Sequence, residues 1–189
     1  MKKSLLLFTI LMFSVITTAC INNLAVQELN NKAAEYLEKG DAKTAISRLQ
    51  ASLDLDNAVY QTHYNLSAAY HSAGEYDKSI EEAHKALELK PDLYDAYYMA
   101  AASYEAAAYK SAGESSDLNG ALEPIEQSLN INQEEFNKKL KSALDNYNKY
   151  LEYKPDAPDK DQIREKIIEL NEKLSETLNE NTAVKSEEE

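Results

Sequence analysis

The residues able to do chemistry are few and poorly placed for catalysis. Histidine occurs only at His63, His71 and His84. No two of them stand four apart, the spacing that aims a helical pair at one metal ion. Cys20 is the single cysteine, so no intramolecular disulfide can form. There is no G-x-S-x-G nucleophile turn, and four glycines in the whole chain leave no phosphate-cradling loop. Acid pairs such as Glu81–Glu82 and Glu134–Glu135 lie on amphipathic patterns, where they read as a solvated face. The expectation is no enzyme, no metal and no cofactor. A different chemistry does repeat: Asn31 and Asn65 are 34 residues apart, as are Tyr64 and Tyr98. A carboxamide pairs with both the donor and the acceptor of an extended peptide backbone. Tyrosine offers a large contact area at small entropic cost. This is binding chemistry.

The elements that must position these residues carry the same period. Tyr36, Tyr70 and Tyr104 step by 34, as do Ala33, Ser67 and Ala101. Gly40 matches Gly74, Ile46 matches Ile80, Leu53 matches Leu87 and Leu55 matches Leu89. Apolar residues fall at helical spacing, as in Leu29, Ala33, Tyr36, Leu37 or Ile80, Ala83, Leu87. A glycine between two such patterns tolerates the positive φ that closes a tight turn, and Pro91 stops the second helix. A 34-residue helix–turn–helix unit with these small, aromatic, Gly and terminal Pro positions resembles the tetratricopeptide repeat (TPR). The fold class expected is all-α: a TPR-type solenoid of about two and a half regular repeats, then an irregular helical extension and a capping helix. The repeats fall at 26–59, 60–93 and 94–133. The second fits best, and the first has Asn57 where the pattern has proline. The third keeps Ala101 and Tyr104 but has Ala108 in place of the turn glycine.

Beyond Ala108 the register breaks. Ser111-Ala112-Gly113-Glu114-Ser115-Ser116 reads as a loop by composition. Residues 118–131 are expected to form the displaced second helix of unit three, kinked or split around Gly120 and Pro124. A long helix over about 134–153 follows, its end resembling the close of another TPR second helix. A final helix from about Lys160 places Ile163, Ile167, Leu170, Leu174 and Leu178 on one stripe, as a solenoid cap requires. The extension and cap thus span 134–178, and 179–189 reads as a disordered acidic tail.

The TPR resemblance implies a concave groove lined by first helices. Residue by residue it places Gln27, Asn30, Asn31, Ala34 and Glu38 there from unit one. Unit two supplies Gln61, Tyr64, Asn65, Ala68, His71 and Ser72, and unit three Asp95, Tyr98, Met99, Ala102 and Glu105. Of these, Asn30, Asn31, Tyr64, Asn65, Ala68, His71, Tyr98, Met99 and Glu105 are the candidate partner-binding residues. The cationic clamp by which chaperone-binding TPRs hold a C-terminal carboxylate is missing. Its places hold Asn30, Gln61, Asn65, Asp95 and Met99, so a neutral or basic partner segment is expected. The implied function is a non-catalytic scaffold or adaptor. The alternative is a structural subunit that homo-oligomerises through its C-terminal helices.

At the amino terminus Lys2 and Lys3 precede an apolar run, Leu5 to Ile16, too short for a comfortable membrane span. Thr17-Thr18-Ala19-Cys20 resembles a bacterial lipobox, with Thr17 departing from the usual leucine. The resemblance implies a signal peptide over 1–19, a palmitate-bearing lipidated Cys20 and a linker over 20–25 ahead of the helical domain at 26–178. Cleavage after Ala19 without lipidation and an uncleaved anchor are the rivals. Ile21, rather than aspartate, implies the outer membrane facing the periplasm in a two-membrane bacterium, or the outer face of the plasma membrane in a one-membrane one. Among envelope TPR lipoproteins the roles are outer-membrane assembly, pilus biogenesis and peptidase adaptation. Removing 1–19 takes Lys2 and Lys3 from the 20 basic side chains and none of the 33 acids, leaving 18 against 33, a net of −15. Such a charge argues against electrostatic binding of nucleic acid or anionic lipid.

Overall fold

The computed structural model describes the backbone of residues 22–116 and 125–187, and the side chains of 22–112 and 133–179. Cys20, the leader and the linker residues 20–21 lie outside this range. The described residues form seven helices and no strand. These are α1 (22–38), α2 (Ala42–Leu55), α3 (Tyr60–Ser72), α4 (Tyr76–Leu89), α5 (Tyr94–Ser116), α6 (Ile125–Tyr153) and α7 (Lys160–Glu187). From α2 onward each helix packs on the next, and α3 also touches α5.

The two turn glycines do what the 34-residue step requires. Gly40 has φ 76° and Gly74 φ 73°. Gly40 N donates to Leu37 O (2.9 Å) and Asp41 N to Tyr36 O (2.8 Å). Gly74 N and Glu75 N repeat the pattern onto His71 O (3.0 Å) and Tyr70 O (2.9 Å). Both are Schellman closures, in which a left-handed residue turns the chain back and satisfies the last carbonyls of the helix. Asp41 then caps α2 by accepting from Thr44 N at 3.0 Å.

Burial follows the stacking order. Ala33, Ala45, Leu49, Leu66, Ala69 and Tyr70 form one core across α1, α2 and α3. Ala86, Leu87 and Ala96, with Tyr64, Leu93 and Tyr97 against them, join α3, α4 and α5. Phe136, Leu140, Leu144, Tyr147, Tyr150, Ile163 and Leu170 anchor a third across α5, α6 and α7. A helix pair that buries its apolar side only against neighbours is the quasi-one-dimensional logic of a solenoid.

Three expectations for the C-terminal half are corrected. Residues 111–116 are helical, because α5 runs without a break to Ser116. Alanine at 108 gives no left-handed stop, Ala107 and Ala108 are buried, and Tyr109 packs edge-on against Phe136 at 5.7 Å. Tertiary packing overrides the loop-like composition. The helices expected at 118–131 and 134–153 are continuous from residue 125 as α6, which begins one residue after Pro124. The proposed kink at Gly120 and Pro124 lies outside the described residues. The first helix missing upstream of Tyr150–Pro155 is therefore α5 itself, and α5–α6 is one elongated third hairpin. Finally, α7 continues to Glu187, with no Gly or Pro in 160–187 to end it, so most of the expected disordered tail is helical. On α7, Ile163 and Leu170 are buried as expected, but Leu178 is 51% exposed. Thr177 is buried in its place and donates to Asn137 Oδ1 at 2.6 Å.

Candidate functional site

Small and hydroxyl residues in the seams between helices do more than permit close approach. In the first seam the two Asn30 Nδ2 hydrogens are shared among Val26 O (2.9 Å), Ser52 Oγ (3.0 Å) and Thr62 Oγ1 (2.9 Å). Asn30 Oδ1 accepts from Asn65 Nδ2 at 2.9 Å. The Asn30 amide is thus committed to the fold. Half-buried, Asn30 also orients the Asn65 head.

A second chain of hydroxyls runs through the next seam. Ser79 Oγ donates to Ser67 O and Ser67 Oγ to Ser79 O, both at 2.8 Å. Ser103 Oγ lies 2.7 Å from Ser79 Oγ and 2.9 Å from His71 Nδ1. Each hydroxyl of this chain can donate to the next or accept from it, so the chain can run in either direction. His71 joins it through Nδ1 alone and turns its Nε2 edge away from the serines. Nε2 has no hydrogen-bond partner among the described residues, and no fully buried side-chain nitrogen or oxygen lacks one. It is therefore reachable from outside. Burial pushes His71 below its ordinary value of 6.5, which favours the neutral ring. A serine beside a histidine suggests a nucleophile, but Ser103 is 0% exposed, so no substrate reaches it.

The aromatic candidates divide. Tyr64 is half-buried in the α3–α4–α5 core, and burial raises its hydroxyl pKa. Tyr98 is 37% exposed and packs against Tyr147 and Tyr150, with ring centroids 6.0 and 5.5 Å away. Asn31 is exposed, whereas Ala68 and Met99 are half-buried. Glu105 sits between two partners: its Oε2 accepts from Tyr147 OH at 2.9 Å and its Oε1 from Lys166 Nζ at 2.7 Å. Burial and the neighbouring Glu105 carboxylate raise the Tyr147 hydroxyl far above its usual range.

His71, Tyr98 and Glu105 meet in one cleft of about 380 Å³ between α3, α5, α6 and α7. Its walls also include Tyr109, Tyr147, Gln162 and Lys166, with Ala102, Ala106 and Ile163 between them. Of the nine candidates, the structure brings these three together, joins Asn30 to Asn65 elsewhere, and leaves Asn31, Tyr64, Ala68 and Met99 outside the cleft. Sequence reasoning missed Tyr109, Tyr147 and Lys166 because they lie on stretches without a 34-residue partner. Treating α7 as the next first helix in the stack would have found Lys166.

The other histidines are structural. His63 Nδ1 is 2.6 Å from Glu82 Oε2 and its Nε2 is 3.0 Å from Asn57 O. His84 Nε2 meets Tyr104 OH at 3.1 Å. Among the described residues no group of three His, Cys, Asp or Glu could hold a metal, and no helix is long and apolar enough to cross a membrane.

No protein-family model matches the sequence, and no curated protein matches it. Solved structures match the fold. The first TPR domain of human RPAP3 aligns with a TM-score of 0.60 at 17% identity, over 82% of this chain and 95% of that one. The TPR2B domain of yeast Sti1, in a complex with pHsp70, gives 0.56 at 18% identity over 81% and 98%. The type III secretion translocator chaperone SycD of Yersinia enterocolitica gives 0.54 at 15% identity over 79% and 91%. At these identities the likeness is one of architecture, and on that architecture and the 34-residue turns the chain is an all-α TPR-type helical solenoid.

Proposed function

We propose that this protein is a non-catalytic adaptor that holds a segment of another protein along its first-helix face. The observation that carries the reading is the meeting of His71, Tyr98 and Glu105 in one open cleft. These groups suit contact rather than turnover, because Ser103, the serine paired with His71, is fully buried. The Sti1 domain, which has the same fold, was solved in a complex with pHsp70. Here the cationic clamp residues are absent, so an acidic C-terminus is not the proposed ligand.

The test is crosslinking pull-down with wild type and an Asn31→Ala/Tyr98→Ala variant. Tyr64 is left intact, because truncating it would disturb the core. Loss of specific partners from the variant supports the groove, and an unchanged partner set moves the site elsewhere.

The proposal includes location: a lipid anchor on Cys20 at the bacterial envelope, after removal of 1–19. Membrane fractionation of Cys20→Ala tests it, since the variant should become soluble. The alternative, self-assembly, draws on Ile168 and Leu178, which α7 leaves 58% and 51% exposed. A dimer that persists on dilution and is lost in Ile168→Glu would favour it.

A further inference from the structure

We propose that the cleft between α3, α5, α6 and α7 takes one lysine or arginine side chain of the partner segment, with Glu105 as counter-ion, and that Lys166 holds its place in the free protein. This deepens the adaptor reading and rests on it.

The polar groups gathered there favour one kind of guest. Glu105 is a carboxylate at the wall of the cleft, and the His71 ring lines it opposite the serine chain. Tyr98 and Tyr109 are 37% and 42% exposed at the same place. A cation is served by all of these, through a charge-assisted hydrogen bond to the carboxylate and attraction to the aromatic rings. An acidic guest would meet Glu105 as a like charge. An apolar guest would desolvate the Glu105 carboxylate without replacing its hydrogen bonds.

The molecule already contains the interaction. Lys166 Nζ is 2.7 Å from Glu105 Oε1, with Glu105 16% and Lys166 38% exposed. The ammonium is the more exposed partner, so Lys166 can swing into water and leave the carboxylate to a guest. A planar guanidinium reaching both oxygens of the carboxylate has more to offer than a single ammonium. Lys173 and Glu169 also lie near Tyr109. Substituting one cation for Lys166 leaves their balance unchanged, while the overall charge of −13 draws a basic segment in.

The experiment is a ¹⁵N NMR titration of the full chain with four probes: the Nα-acetyl amides of arginine, lysine, norleucine and glutamate. Saturable shifts grouped around residues 71, 98, 105, 109 and 166, given by the two cations and not by the others, are expected. Lys166→Ala should bind the arginine probe roughly threefold more tightly, since an internal competitor is gone. Glu105→Gln should bind it about tenfold more weakly, with a single cooperative urea transition and dispersed amide resonances verifying the fold. Gain in one variant and loss in the other is not the signature of a merely structural ion pair. Shifts equal for norleucine, no saturable shift at the solubility limit, or weaker binding by Lys166→Ala would overturn the proposal. If that happens while Asn31→Ala/Tyr98→Ala still loses its crosslinked partners, the adaptor reading stands and the cation pocket alone falls.

Discussion

The two halves of this solenoid solve one packing problem with different materials. In α1–α4 the helices are 13–17 residues long, the glycine turns are superimposable in hydrogen bonding, and seams are filled by Ala, Ser and Thr. In α5–α7 the helices run to 23, 29 and 28 residues, and tyrosine fills the seams. Tyr97 stacks on Tyr153 with centroids 5.4 Å apart, and Tyr94 meets Tyr150 at 6.2 Å. Lys149 and Lys154 lie over Tyr97 and Tyr94. The difference traces to one position. Where glycine stands at 40 and 74 the chain turns, and where alanine stands at 108 it does not.

The contrast can be broken most severely in the cores. Leu66 and Leu140 are both fully buried, in separate clusters. Either change to alanine should cost about 2–5 kcal/mol by chemical denaturation. Hydrogen exchange then separates the halves: Leu140→Ala should release α5–α7 while α1–α3 keep most of their protection. Uniform loss would show that the halves are one cooperative unit.

Next comes the turn. A Cβ at residue 74 would meet nothing within 4 Å, so Gly74→Ala is penalised only by its φ of +73°. The expected cost is about 1–2 kcal/mol, with Gly74→Asn milder. Truncating the tyrosine stack by Tyr153→Ala should cost less, about 0.5–1.5 kcal/mol, because that ring is 44% exposed.

The smallest effect is a slope with pH. Burial lowers the folded-state pKa of His71 below 6.5, so on acidification the unfolded chain takes up its proton first. Stability from this group should be intact above pH 6.5 and should decline as pH falls until the folded ring protonates too. His71→Asn should flatten that limb of a urea-midpoint profile. A variant with the same acid slope would remove His71 as its source.

The regular half was legible because its information is local: a glycine forces a turn, and 34 residues return the same face. The second hairpin was harder for a physical reason. Ser111–Ser116 look like a loop in isolation, and only Phe136, far along the chain, explains why Tyr109 holds them in a helix. Glu105 could be placed on the groove by its position in the unit, but its partners Tyr147 and Lys166 come from 42 and 61 residues away. The bonds that Asn30 makes inside the fold were hidden for a related reason. Position names a face, while the hydrogen bond to Ser52 and Thr62 decides which way the amide is turned.

In mechanical terms the third hairpin is a beam. Its first strut, α5, is ten residues longer than α3, an overhang of roughly 15 Å. Lys110 Nζ donates to Gly74 O at 3.4 Å and Lys139 lies 3.8 Å from Asp77, so the beam is built into the turn of the second repeat. Glu105 lies on that same strut, roughly three turns from its far end. A load applied at residue 116 therefore travels along one continuous helix to the Glu105–Lys166 pair.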